Sequence, residues 1–133
     1  MACTPAQLYA LVNDVAAYPQ WFDWCAASRV TEQSETLMRA ELTVTLVGLS
    51  VDFSTENALQ PNKHIAMKLL KGPFSHFSGD WRFSPLGEAG CKVSLELNFD
   101  YAGALGMAFG AAFGHLADQM VGDFVEVAKR VYA

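Results

Sequence analysis

The C-terminal stretch LGMAFGAAFGHLADQMVGDFVEVAKRVY, residues 105–132, decides the fold. Its large apolar side chains recur at steps of three and four, the repeat of one face of an α-helix: Leu105, Phe109, Phe113, Leu116, Met120, Phe124, Val127 and Val131. The pattern predicts one long helix, roughly 103–132, that packs this face against the rest of the domain. At about 1.5 Å per residue, such a helix crosses a whole small domain.

The segment before this helix changes from a helical to a strand period. Apolar and polar side chains alternate along 38–46, 77–83 and 93–101, as expected for strands with one buried and one wet face. Turn-forming residues separate the runs in VGLS, QPNK, KGPFS and PLGEAG. The pattern predicts an antiparallel meander of about six strands.

A shorter helix is predicted at the N-terminus, where Thr4 caps, Pro5 takes the first helical position and Gln7 completes a capping box. The aromatic stretch AYPQWFDWC, residues 17–25, follows, and Pro19 is expected to push Tyr18 out of helical geometry. The order helix, aromatic turn, sheet and long helix predicts one α+β domain over residues 1–133.

Composition narrows the function. The chain is 52% hydrophobic, which favours a second apolar surface, a cavity wall or an oligomer interface. A net charge of −5 with scattered Lys and Arg excludes DNA as an expected partner. The three cysteines lie far apart, so we expect reduced thiols in the cytoplasm, without disulfide or zinc site. No signal peptide or membrane span is expected.

No catalytic or metal-ligating residue is predicted, because the chain lacks a nucleophile motif, a phosphate-binding glycine loop and a zinc-binding motif. His115 and Asp118, three residues apart on the last helix, are interpreted as an exposed pair. Asp23 lies between aromatic residues and is interpreted as a capping or solvated carboxylate. The helical row Gly106, Gly110 and Gly114 fits close packing or a cavity wall.

Three motifs in series carry a resemblance to a known family: YPQWFDWC, then KGPF with GDWRFSPL, then AFGAAFGHLADQMVGDFVEVAKRVY. The chain resembles, from Thr4 to Tyr132, the coenzyme Q-binding START-like family of the SRPBCC superfamily. Bacterial members of that family are called ribosome association toxins (RatA) or polyketide cyclase/dehydrase-like proteins. The resemblance implies a helix-grip fold, a curved antiparallel sheet of six or seven strands around a long C-terminal helix, with a lipophilic cavity between them.

The expected ligand-facing residues follow from the matched motifs and from the inward strand and helix positions. Trp21 and Phe22 are expected to line the cavity mouth, with the remaining contacts deeper inside. The complete set is Trp21, Phe22, Met67, Leu69, Phe74, Trp81, Phe109, Phe113 and Met120.

Two features depart from the family pattern. Asp23 stands where the family commonly has proline, which puts a charge beside the expected cavity mouth. The family also has a strand before its first helix, whereas Met1 here lies almost at the helix cap. Either the sheet has an open edge with which another chain can pair, or the natural start differs from Met1.

The resemblance implies a non-catalytic protein that binds ubiquinone or another polyprenyl lipid in support of respiration, with no required cofactor. Respiratory-chain proteins and the inner face of the membrane are the expected partners. The alternative is a toxin that binds the large ribosomal subunit and blocks subunit association. The charge balance argues against this alternative, because the chain has 9 Lys and Arg but 14 Asp and Glu. Its one local cluster of cations is Lys63, Lys68 and Lys71. A cyclase or dehydratase ranks third.

Overall fold

The computed structural model describes residues 4–46, 48–72, 74–87, 90–101 and 106–132, without the side chains of residues 49, 101 and 106–110. A 3-10 turn at Val15–Ala17 joins the first two helices. The elements are α1 (Pro5–Asn13), α2 (Tyr18–Trp21), β1 (Cys25–Gln33), β2 (Leu37–Leu46), β3 (Leu49–Gln60), β4 (His64–Lys71), β5 (Phe74–Leu86), β6 (Gly90–Tyr101) and α3 (Gly106–Val131).

The strands form one curved antiparallel sheet in the order β1-β2-β3-β4-β5-β6, so every strand pairs with its neighbour in sequence. The predicted alternation is clearest on β5, whose inward residues Phe77, Gly79, Trp81 and Phe83 are buried. The α+β helix-grip prediction is therefore confirmed. The long helix is confirmed too, while the predicted residue Leu105 lies outside the described residues.

Helix α1 begins as predicted. The Thr4 hydroxyl accepts a hydrogen bond from the Gln7 backbone N–H at 3.2 Å, and the Gln7 side-chain oxygen accepts one from the Thr4 backbone N–H at 2.9 Å. This reciprocal pair satisfies N–H groups at the start of the helix that have no partner within it. It fixes the direction in which α1 enters the core.

The aromatic turn differs from its prediction at Tyr18. Tyr18 is helical, with φ −53° and ψ −43°, and it begins α2. Pro19 is tolerated because it lies in the first turn of the helix, where a backbone N–H has no helical partner to lose. The Tyr18 hydroxyl donates to the Val12 carbonyl oxygen, and burial raises the pKa of Tyr18.

Two groups of aromatic rings fill the space between sheet and helices. We call the first the aromatic joint: Phe124 of α3 with Tyr18, Phe22, Trp24 and Trp81. We call the second the phenylalanine cluster: Phe53, Phe74, Phe77 and Phe113. The aromatic joint holds the aromatic turn and α3 to β5, while the phenylalanine cluster packs the other half of α3 on the sheet.

The turn before β5 gives a test of the fold. Gly72 has φ +156°, and a Cβ built there would lie 2.7 Å from the Phe53 Cβ. We expect Gly72→Ala to lower the free energy of unfolding by about 1–3 kcal/mol, because neither backbone nor Phe53 can yield freely. Urea unfolding followed by circular dichroism measures the change.

Gly122→Ala is the matched control. Gly122 lies within α3, and a Cβ there would have no heavy atom within 4 Å. Alanine should raise the free energy of unfolding by up to about 1 kcal/mol through helix propensity. A Gly72→Ala variant as stable as the wild type would contradict the packing described for this turn.

Candidate ligand-binding cavity

A cavity of about 60 Å³ lies between the inner face of the sheet and α3. Its wall includes Tyr18, Trp24 and Trp81 of the aromatic joint and Phe53, Phe77 and Phe113 of the phenylalanine cluster. The cavity is thus the gap left where two separately packed groups of rings meet. Its other wall residues are Val12, Asn13, Val15, Ala40, Leu42, Val44, Thr55, Asn57, Ile65, Met67, Leu97 and Met120.

Four of the predicted ligand-facing residues belong to this wall: Met67, Trp81, Phe113 and Met120. They come from β4, β5 and α3, and only the fold brings them together. Their contact with a ligand stays a prediction, whereas their shared position around one cavity is a property of the structure.

Two other predicted residues, Phe74 and Leu69, are not among the described residues that line the cavity. Phe74 is buried in the phenylalanine cluster, its ring centroid 5.1 Å from that of Phe77, and Leu69 packs against the same cluster. Both therefore pack against residues of the cavity wall. Phe109 lies within α3, and its side chain is not among those described.

Trp21 and Phe22 are not among the described residues that line the cavity. Phe22 is 6% exposed and stacks on Trp24, with the ring centroids 4.9 Å apart and the planes 13° apart. Trp21 is partly buried beside an outer groove that Asp123 and Arg130 also line. Trp24 lines both the cavity and this groove.

The cavity wall holds unusual polar atoms. Among the described residues, the buried side-chain nitrogen and oxygen atoms without a hydrogen-bond partner are Asn13 Oδ1, Trp24 Nε1 and Asn57 Oδ1. All three residues line the cavity. A buried polar atom without a partner costs about 1–3 kcal/mol. Water or a ligand inside the cavity would supply the missing partners.

Sequence reasoning missed these residues, although β3 carried a signal. The run FSTENAL alternates with Phe53, Thr55, Asn57 and Leu59 on one face, and the structure buries all four. Two polar residues on an otherwise apolar inward face are the mark of a site with polar contacts. Thr55 and Asn57 therefore interrupt the apolar inward face of the sheet on β3.

The described wall contains no acid, histidine, lysine or arginine. Chargeable groups lie on the outer surface: the His64 Nε2 lies 2.7 Å from the Asp80 Oδ1, and exposed His115 contacts Gln119 at 3.4 Å. His115 and Asp118 are both exposed, as interpreted from the sequence. On β3 the hydrogen bond from Lys68 is the largest of the effects that lower the pKa of Glu56.

Thiols and the glycine row add little chemistry. Cys25 and Cys91 are buried, and burial raises the pKa of the Cys25 thiol. Cys3 lies outside the described residues. A Cβ at Gly114 would meet only the Phe99 Cζ, at 3.7 Å, so close packing does not require glycine there. The surroundings of Gly106 and Gly110 lie outside the described residues.

Within the described part of the chain, no group of three His, Cys, Asp or Glu side chains is arranged to hold a metal ion. None of the helices in the described ranges is long and apolar enough to cross a membrane.

Comparisons with known proteins identify the family of this chain. Residues 1–125 match the family described as polyketide cyclase / dehydrase and lipid transport. The chain is 50% identical to the ribosome association toxin RatA of Pseudomonas aeruginosa, over 94% of this chain and 88% of that protein. It is 29% identical to the mitochondrial coenzyme Q-binding protein COQ10 homolog B of Xenopus laevis, over 95% of this chain and 54% of that protein.

A solved structure supports the fold alone. The Zhui aromatase/cyclase from a Streptomyces species superposes with a TM-score of 0.82 at 19% identity, covering 99% of this chain and 90% of that one.

The unpartnered amide of Asn57 gives a test of the site. Asn57→Leu should raise the free energy of unfolding of the ligand-free protein by about 1 kcal/mol or more, because it removes a buried polar atom that lacks a partner. Thermal unfolding of protein refolded from denaturant measures the change. Asn98→Leu on exposed β6 is the control and should change stability by less than about 0.5 kcal/mol. A clearly destabilised Asn57→Leu protein would show that the amide is satisfied in the folded state.

Proposed function

Since the chain belongs to the polyketide cyclase / dehydrase and lipid transport family, we propose that it acts as a ribosome association toxin of the RatA type. In this role it binds the large ribosomal subunit in the cytoplasm and blocks subunit association. The observation that carries the proposal is 50% identity to a protein of that name over 94% of the chain. An identity this high extends over the sheet, the aromatic turn and most of α3 together.

The distribution of charged side chains limits how the protein can recognise the ribosomal subunit. Four of the 9 cationic side chains are held in ion pairs with carboxylates of the described residues: Arg29, Arg39, Lys68 and Lys129. Lys68, of the predicted lysine cluster, lies 3.1 Å from Glu56. Five cations remain against 14 acidic side chains, so recognition has to rest on shape and on ribosomal protein or base contacts more than on charge.

Sedimentation tests this proposal. Purified protein added to dissociated ribosomal subunits, before magnesium is raised, should leave more free subunits and fewer whole ribosomes in a sucrose gradient. The protein itself should travel with the large subunit. Because recognition rests on shape more than on charge, the effect should weaken less between low and moderate salt than that of a basic ribosome-binding protein. An unchanged gradient, with the protein left at the top, would contradict the proposal.

A second function is favoured by the cavity itself: non-catalytic binding of a small lipophilic molecule, with ubiquinone or another polyprenyl lipid as the expected ligand. The apolar wall with a few convergent polar groups is typical of ligand sites. The likeness to a coenzyme Q-binding protein supports the quinone class. A described wall without Asp, Glu, His, Lys or Arg supports binding over cyclase or dehydratase chemistry. Contact with respiratory-chain proteins or the membrane surface stays an expectation from the resemblance.

Ligand extraction tests the second function. Protein purified without detergent from its own host is extracted with solvent, and mass spectrometry should detect a quinone or polyprenyl lipid in near-stoichiometric amount. Ala40→Val adds two methyl groups to a buried position of the cavity wall and should reduce the extracted ligand strongly.

Trp21→Ala is the matched control, because Trp21 lies at the outer groove, and it should retain the ligand. An empty wild-type protein would contradict cavity binding and leave the ribosome proposal standing. If Trp21→Ala loses the ligand and Ala40→Val retains it, the ligand binds outside the cavity.

A further inference from the structure

The polar atoms of the cavity wall constrain the chemistry of its ligand. Asn57 is 6% exposed, in the middle of β3, and its amide oxygen has no partner among the described residues. The indole N–H of Trp24 and the amide oxygen of Asn13 share this condition, and all three residues line the same cavity. A purely hydrocarbon ligand would leave these atoms unsatisfied.

The donor and acceptor roles of these atoms select one kind of group. An indole N–H only donates, whereas an amide oxygen only accepts. A matching ligand therefore accepts at one point and donates at another. A hydroxyl does both. With the amides in the orientation of the structure, where the unpartnered atoms are the oxygens of Asn13 and Asn57, a quinone carbonyl or an ether oxygen only accepts and leaves these oxygens unpaired.

The apolar part of the wall selects the body of the ligand. Tyr18, Phe77, Trp81 and Phe113 present aromatic rings to the cavity, and aromatic surfaces pack well against another flat ring. A ring that carries hydroxyls combines both requirements.

We propose that the cavity binds a hydroxylated aromatic ring, a phenol or hydroquinone, in preference to the corresponding quinone. Its hydroxyls donate to the amide oxygens of Asn57 and Asn13 and accept from the indole N–H of Trp24. This inference rests on the second proposed function, ligand binding in the cavity, and names its ligand class. If the physiological ligand is a quinone-type lipid, the bound form is the reduced one.

The size of the cavity requires an adjustment on binding. About 60 Å³ is less than half of an engineered cavity of roughly 150 Å³ that takes a benzene ring. Met67 and Met120 belong to the wall and are partly buried. Their unbranched, flexible side chains can change rotamer and widen the space without moving the backbone.

Calorimetric titration tests the inference. The probes are 2,3-dimethoxy-5-methylhydroquinone under anaerobic reducing conditions, the corresponding quinone without reductant, and the dimethyl ether of the hydroquinone. The hydroquinone should bind at least tenfold more tightly than either of the others, because only it supplies donors to the buried amides.

Two variants make the test specific. Asn57→Leu should bind hydroquinone and quinone with equal affinity, and Trp24→Phe, which keeps a ring but removes the N–H, should weaken binding of both. Asn98→Leu, on the exposed face of β6, should keep the full preference.

The outcomes separate the two proposals. Equal or tighter binding of the quinone by the wild type would overturn the hydroxyl preference and leave cavity binding intact. Failure of all three probes to bind the wild type would overturn the inference together with the second proposed function. A preference that survives in Asn57→Leu would show that another group recognises the hydroxyl.

Discussion

The structure depends on the burial of one ring, that of Phe124. Its side chain is fully buried, and its centroid lies 5.4 Å from Tyr18, 4.9 Å from Phe22 and 5.3 Å from Trp81, each pair edge to face. Edge-to-face pairs add roughly 0.5–1.5 kcal/mol each beyond the area they bury. Phe124 thereby joins three parts that are remote in sequence: the aromatic turn, β5 and α3.

The cavity follows from this arrangement. The aromatic joint fixes the C-terminal half of α3, and the phenylalanine cluster fixes its earlier half around Phe113, whose ring lies 5.6 Å from Phe74. Rigid rings packed at two places cannot also fill the space between them, so a gap remains. Polar atoms of Asn13, Trp24 and Asn57 lie without partners beside that gap. The fold tolerates them because packing in the two clusters offsets the free energy that they cost. The proposed ligand site thus lies between the two parts of the core that stabilise the fold.

The sequence predicts the architecture well and the site in part. The correct predictions rest on patterns between residues close in sequence. These are the periodicity of three and four along α3, the alternation along β2, β5 and β6, and the Thr4–Gln7 capping box. Tyr18 was assigned a non-helical conformation because the rule for residues before proline ignores tertiary contacts; burial against Phe124 outweighs it. Trp21 and Trp24 look alike in the sequence, and only the packing of α2 shows which of them reaches the cavity. Asn57 was recognisable from the alternation of β3, but its missing partner is visible only in three dimensions.

The central claim is that this gap, and not the outer groove beside the aromatic turn, is the ligand site. The indole N–H resonances of the three tryptophans test it directly. Each is assigned by a Trp→Phe substitution and followed in ¹H–¹⁵N NMR spectra while the reduced dimethoxy-methyl head group is added. A ligand in the cavity should shift the Trp24 resonance strongly, because its N–H gains an acceptor, and should leave that of Trp21 in place. A shift at Trp21 with none at Trp24 would contradict this claim.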